Sequence, residues 1–221
     1  MTQAMIYTIN AAQTLDDCVF LSDATEELAA IRRPDCAAAI WTRQPLARFQ
    51  KWLDALSREQ LPATRMILRP AQVCDALMRV SDMHGTPATP ERDMLIGDAS
   101  ALAAIFADVM DTPFLRLRFD VVSTNACRKF HIDAVTARLV CTYRGTGTQY
   151  GLSQNGQDPE QIVTVPTGSP IVLRGTRWPE TPLSGLLHRS PPIAGTGETR
   201  LLLVLDPIVD PEEEIDSVYI N

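Results

Sequence analysis

The chain has 221 residues, 45% of them hydrophobic, enough to bury one substantial core without disulfide support. A net charge of −7 and a pI near 5.0 argue against the clustered Lys and Arg that phosphate-backbone binding requires, so no nucleic-acid partner is expected. Residues Met1 to Asn10 lack a basic stretch followed by an apolar run, and no window stays apolar for the length a bilayer demands, so a cytoplasmic protein with no membrane attachment is expected.

In chain order, Asp23 with Glu26 and Glu27 ahead of Leu28 reads as an N-cap and acidic first turn, predicting a short helix to about Arg32. Cys36 to Trp41 is a compact apolar run that suits a buried strand. Leu46, Phe49, Trp52, Leu53 and Leu56 recur at helical spacing, predicting an amphipathic helix over Pro45 to Leu56 with Trp52 in the core. A second helix is expected over Pro70 to Val80. Ser81 to Arg92, with His84, Gly85, Pro87 and Pro90, reads as a loop with a solvated histidine. Asp98 to Met110 follows as an amphipathic helix capped by Asp98 or Ser100.

From Phe114 the texture changes to short extended runs between Gly, Pro, Asn and Thr: 114–122, 128–133, 137–143, 161–165, 170–174, 183–188 and 200–206. Many short strands with turn signals between them indicate a sandwich or jelly-roll barrel. The expected class is α+β in a single domain: a helix-rich portion over 1–113 packed against a β core over 114–210, then an acidic tail over 211–221. Arg144 to Pro159 carries four glycines and little periodicity, which fits either a mobile lid or a long solvent hairpin. Trp178, between Gly175 and Pro179, either plugs the core or lines a pocket rim. Five cysteines, at 18, 36, 74, 127 and 141, lack Cys-x-x-Cys spacing and read as reduced, mostly buried thiols rather than a zinc site.

The chemistry-bearing pattern is His131-Ile132-Asp133 with His188 fifty-five residues after Asp133. On a strand, residues i and i+2 face the same way, so His131 and Asp133 can both point inward, and His188 closes the set from a return strand, Leu183 to His188. Two imidazoles and one carboxylate on one face of an octahedral ion leave three positions open, the arrangement of non-haem iron(II) sites that activate dioxygen. A partly buried histidine bonded to a nearby aspartate gives the same local triplet without a metal.

The block Cys127-Arg-Lys-Phe-His131-Ile-Asp133-Ala-Val-Thr-Ala-Arg138-Leu-Val-Cys-Thr-Tyr143 and the block Gly185-Leu-Leu-His188-Arg-Ser-Pro-Pro192 closely resemble a bacterial family known as domain of unknown function 1826. Their order is also distantly similar to the iron(II)/2-oxoglutarate-dependent oxygenases, which fold as a double-stranded β-helix, a cupin-like barrel. That resemblance implies iron(II) on His131, Asp133 and His188, and 2-oxoglutarate as cosubstrate. It assigns the far carboxylate of 2-oxoglutarate to Arg200, twelve residues after His188, since a guanidinium matches a carboxylate with two parallel hydrogen bonds. Arg189 is a competing anchor, and Tyr143 a further donor to the same carboxylate. Leu202 departs from the resemblance, because many relatives carry Ser or Thr there. The primary substrate would be a small molecule or peptide. The alternative is a cupin-like protein that binds a divalent metal in homeostasis or sensing, without oxygenase activity; an Arg200 pointing to solvent would favour it.

Overall fold

Backbone hydrogen bonding in a computed structural model organises the described residues, 14–153, 156–179 and 185–212, into ten strands and four α-helices. In chain order these are α1 (Leu15–Cys18), β1 (Val19–Ser22), β2 (Ala38–Trp41), α2 (Ala47–Ala55), β3 (Thr64–Leu68), α3 (Val73–Met83), α4 (Pro90–Met110), β4 (Phe114–Val122), β5 (Ala137–Arg144), β6 (Gln149–Leu152), β7 (Val163–Thr164), β8 (Pro170–Arg174), β9 (Leu186–Arg189) and β10 (Arg200–Ile208). They form a seven-stranded sheet in the order β1-β2-β8-β5-β10-β4-β3 and a three-stranded sheet, β7-β6-β9. All pairs in both sheets are antiparallel except β1 with β2.

The alternation of β10 shows why the large sheet is covered on both faces. Leu201, Leu203 and Leu205 point to one side, where they join Leu139, Cys141 and Tyr143 of β5 and Leu95, Leu102 and Phe106 of α4 in a helix-side core. Leu202 and Val204 point to the other side, where they meet Val140 of β5 and Tyr150 and Leu186 of the small sheet in a second core. The molecule is thus layered as helices, large sheet and small sheet, a mixed α/β arrangement. No helix among the described residues is long and apolar enough to cross a membrane.

The N-terminal half is more than a helical flank, since β1, β2 and β3 lengthen the large sheet at both ends. Neither Val19–Ser22 nor Thr64–Leu68 is long enough to display a clear period. The stretch expected as an α-helix to Arg32 is a 3-10 helix over Thr25–Arg32, whose first turn takes no side-chain cap from Ala24. Trp52 lies at the margin of the helix-side core, half-buried, while Phe49 and Leu53 fill its interior.

The helix expected from Asp98 begins at Pro90. Thr89 is its N-cap, accepting a hydrogen bond from the Arg92 N–H at 3.4 Å, with proline in the first turn followed by Glu91 and Asp93. These signals lie inside the expected loop, because the first turn is mostly charged and Gly97 interrupts the apolar pattern. Asp98 and Ser100 sit mid-helix, and the Ser100 hydroxyl donates back to the Ile96 carbonyl at 2.7 Å.

The expected strand 128–133 does not form. Its one sheet contact is an isolated bridge between His131 and His188. The run 161–165 contributes only the two residues of β7. The segment expected as a lid or a solvent hairpin, Arg144 to Pro159, instead holds β6, which pairs with β9 in the small sheet. Gly147 serves close approach there: a Cβ would lie 1.9 Å from the Val165 carbonyl oxygen. Residues 183 and 184 of the expected return strand, the Met1 to Asn10 segment and most of the acidic tail, 213–221, lie outside the described residues.

The position of the α4 cap has a direct consequence for stability. Thr89→Ala is expected to lower the unfolding free energy by about 1 kcal/mol, and Ser100→Ala to change it by less than about 0.5 kcal/mol, as measured by urea denaturation.

Candidate metal centre

His131 and His188 face each other across a narrow antiparallel bridge, each N–H donating to the other's carbonyl at 3.0 Å. The bridge brings their rings to a centroid separation of 4.6 Å. His188 is on β9 opposite Tyr150 of β6, so its side chain enters the space between the sheets and is 7% exposed.

Asp133 arrives by another route. The 133–136 segment is held by the turn after β8: Thr176 N–H donates to the Asp133 carbonyl at 2.8 Å, Gly175 N–H to Thr136 at 2.9 Å and Arg177 N–H to Val135 at 3.0 Å. Gly175 is required there, because a Cβ would lie 1.9 Å from the Val135 carbonyl oxygen. The convergence of His131 with Asp133 therefore rests on a bridge and a clamp, not on the alternation of a strand.

One ligand atom from each of His131, Asp133 and His188 lies within 4.8 Å of the others. His131 Nε2 is 3.4 Å from Asp133 Oδ1, and His188 Nε2 is 2.9 Å from Asp133 Oδ2. That second contact is not aligned as a hydrogen bond, and Oδ2 is buried without a hydrogen-bond partner. The Lys129 carbonyl lies 2.8 Å from His131 Nδ1. A carbonyl can only accept, so Nδ1 carries the proton and the neutral ring leaves its Nε2 lone pair directed at the aspartate. This fixing of the tautomer is what a metal-binding histidine needs.

Burial alone would raise the pKa of Asp133, but contacts with His131 and His188 and the charges of His188 and Arg138 outweigh it and hold the carboxyl well below the usual range. Burial lowers the pKa of His188 and favours its neutral, ligating form. Contact with Asp133 raises that of His131. Two neutral-capable imidazoles and an anionic oxygen with an unused lone pair form a donor set that fits a divalent ion.

Behind the triad stands a residue that motif reasoning missed. Arg138 NH1 is 2.5 Å from Asp133 Oδ1, while its Nε and NH2 donate to the two oxygens of Asp206 at 2.6 and 2.9 Å. Asp206 is 1% exposed. Arg138 thus holds one aspartate oxygen and leaves the other toward the histidines. Its signal in the sequence is a charged residue at an inward position of a mostly apolar strand, Arg138 in β5 and Asp206 in β10.

The candidate cosubstrate residues separate. Arg200 opens β10 on the face of Leu202 and Val204, fully buried. Its Nε donates to the Thr146 carbonyl at 2.6 Å, its NH2 reaches Thr142 Oγ1 at 3.5 Å, and its NH1 is buried with no partner. Burial lowers its pKa to about 10, with Glu198 opposing, so it stays charged at neutral pH. Arg189 follows His188 on β9 and so faces away from it, donating to Gln149 Oε1 at 2.8 Å and lying over the Phe130 ring. Tyr143 is on the helix side of β5, where its hydroxyl donates to Asp98 on α4 at 2.6 Å, and the structure does not bring it to the triad. His84 ends α3 with its Nδ1 2.9 Å from the Val80 carbonyl, and Trp178 packs at the edge of the helix-side core under the Arg174 guanidinium. Neither joins the triad. Cys18, Cys36 and Cys141 are buried thiols; Cys74 and Cys127 are exposed.

A family model described as Protein of unknown function (DUF1826) matches residues 22–206. No curated protein matches the sequence. Among solved structures, dioxygenase for auxin oxidation 1 from Arabidopsis thaliana, in a binary complex with 2-oxoglutarate, is similar with a TM-score of 0.54 at 9% identity, over 88% of this chain and 93% of that one. The rice dioxygenase for auxin oxidation gives a TM-score of 0.49 at 12% identity, over 88% and 84% of the two chains. A prolyl-4-hydroxylase from Pseudomonas putida gives 0.35 at 15%, over 76% and 97%. At this identity the Arabidopsis likeness shows a shared fold.

The clamp on Asp133 gives an expected outcome away from the ligands themselves. Gly175→Ala should force the 133–136 segment outward and weaken divalent-metal binding at the triad by at least about tenfold, measured by metal titration, while the helix-side core keeps its far-ultraviolet circular dichroism.

Proposed function

The chain belongs to the DUF1826 family, and we propose that it is a non-haem iron(II)- and 2-oxoglutarate-dependent oxygenase whose two sheets form a double-stranded β-helix. The observation that carries this reading is the pairing of two features in the same inter-sheet layer: a converged His131–Asp133–His188 face, and a fully buried Arg200 with one unused N–H. A buried guanidinium with an unpaired donor is destabilising unless an anion reaches it. The far carboxylate of 2-oxoglutarate is such an anion, and the likeness to a solved 2-oxoglutarate complex supports that choice.

In this reading His131 Nε2, Asp133 Oδ2 and His188 Nε2 hold iron(II). Bound iron and 2-oxoglutarate together supply activation of dioxygen and oxidation of the substrate. The remaining work belongs to the chain. Arg138 holds Oδ1 of Asp133 and leaves Oδ2, which has no hydrogen-bond partner, to serve as a ligand atom. The Lys129 carbonyl fixes the tautomer of His131. Thr142 and Thr146 orient the Arg200 fork, and Leu202 and Val140 exclude water around it. Leu202 leaves Arg200 without the usual hydroxyl neighbour, and the Thr142 hydroxyl on β5 stands in its place.

A metal-binding protein without oxygenase activity fits the triad equally well, but gives no role to a buried charge at residue 200. The two are separated by titrating the protein with iron(II) and then 2-oxoglutarate under anaerobic conditions, following the weak visible band of metal chelation by the cosubstrate. His131→Ala and Asp133→Ala are expected to abolish iron binding. Arg200→Ala is expected to retain iron and to weaken 2-oxoglutarate by about tenfold or more. Absence of the band at saturating iron would overturn the oxygenase reading and leave the metal site standing.

A further inference from the structure

The ion-pair chain that begins at Asp133 continues past Asp206. Arg116 NH1 and Arg118 NH2 on β4 lie 3.8 and 3.9 Å from Asp206 Oδ2, which Arg138 already engages. Arg118 also stands 3.7 Å from Asp120. Both Arg118 contacts are longer than hydrogen bonds, and its Nε is buried with no partner. Only one carboxylate and one guanidinium separate Arg118 from Asp133.

Across the ladder, Arg65 of β3 is the direct partner of Arg118, so the two point to the same face. Like charges directly opposite one another on paired strands are destabilising. In a chain of net charge −7 this pairing is conspicuous. Among the described residues, Arg118 stands between two further guanidinium groups, Arg65 across the ladder and Arg138 beyond Asp206. The Arg118 side chain is 22% exposed and Arg65 is exposed, so a ligand from solvent can reach both. Burial, followed by the charge of Arg138, lowers the pKa of Arg118, with Asp206 and Asp120 opposing.

We propose that the substrate oxidised at this centre is a small organic oxyanion, a carboxylate or phosphate, whose charged group is bound by Arg118 with Arg65 at the rim. This rests on the oxygenase reading for what happens to the ligand, but the binding itself needs only the folded, iron-loaded protein. The division of labour follows from position. Arg200 starts β10 and Asp206 nearly ends it, on the same face, with Leu202 and Val204 buried between them. Arg118 lies opposite Val204 on the β10–β4 ladder, four residues along from Arg200, which sets the two guanidinium positions about 13 Å apart along the strand. One anion site therefore serves the cosubstrate, and the other is available to the substrate.

The test uses benzoate and phenyl phosphate as oxyanion probes and benzamide as the neutral counterpart. Each is titrated by calorimetry into anaerobic iron(II) protein, with and without saturating 2-oxoglutarate. The wild type is expected to bind at least one oxyanion and not benzamide. Arg118→Gln should weaken that oxyanion by at least about tenfold, Arg65→Gln by a smaller factor, and neither should alter 2-oxoglutarate binding more than about twofold. Arg118→Lys, which keeps the charge but loses the fork, should fall between wild type and Arg118→Gln. The proposal is overturned if the wild type binds no oxyanion, if benzamide binds as well, or if binding survives Arg118→Gln. It is equally overturned if Arg118→Gln weakens 2-oxoglutarate as much as the probe, since Arg118 then belongs to the cosubstrate. Should Arg118→Gln fail to fold, Arg65→Gln and Arg118→Lys decide, and unchanged affinity in both refutes the assignment. A protein that binds iron and the probe but not 2-oxoglutarate refutes the oxygenase reading while leaving the anion site at Arg118 standing.

Discussion

The Asp206 carboxylate, almost wholly removed from solvent at the end of β10, is the constraint on which the site depends. A buried anion must be paired, and Arg138 pairs with it through two short hydrogen bonds. The third arm of the same guanidinium reaches Asp133, on a segment with no strand of its own. The most irregular of the three candidate ligands is thereby tied to the most regular element of the fold. Removing Arg138 would leave Asp206 only the longer contacts to Arg116 and Arg118 and would release Asp133 from the sheet, so the three groups behave as one structural unit.

A comparable device lies on the reverse of the same sheet. Arg43 donates to both oxygens of Asp98 at 2.6 and 2.7 Å, and Tyr143 donates to the same carboxylate. Burial lowers the affinity of Arg43 for its proton, but the Asp98 contact more than compensates, so the guanidinium stays charged. This cluster fastens α4 to β5 and borders a small cavity lined by Leu46, Phe49 and Met94. Strand β5 therefore carries polar locks on both faces, Arg138 toward the small sheet and Tyr143 toward the helices. The alternation of a strand explains why neighbouring residues serve different layers.

How much of this was legible in the sequence follows from which signals are local. The apolar periodicity around Phe49 and Leu53, and the runs that became β4, β5, β8 and β10, depend on neighbours along the chain and were readable. The convergence of His131, Asp133 and His188 was legible as a motif, but its stated cause was wrong, since the bridge to His188 and the clamp by Gly175 are non-local backbone contacts. Short strands such as Val19–Ser22 carry too few residues to show a period. The assignment of Tyr143 beside the cosubstrate failed on parity alone: it neighbours Thr142, which faces Arg200, and so it faces the opposite way. Arg138 and Asp206 could have been singled out as charges at inward positions of apolar strands, a signal that needs the strand register before it acquires meaning.

The placement of β1, β2 and β3 bears on how the molecule can be divided. Strands β8, β5, β10 and β4 form the middle of the large sheet, flanked by β2 on one side and β3 on the other. A fragment beginning at Phe114 would retain every candidate ligand yet leave β8 and β4 as naked borders, with backbone donors and acceptors free to recruit strands from other copies. Excision of the seemingly accessory N-terminal half would thus expose two central strands as an aggregation template, so the smallest portable form of this candidate metal centre includes the strands that cover them.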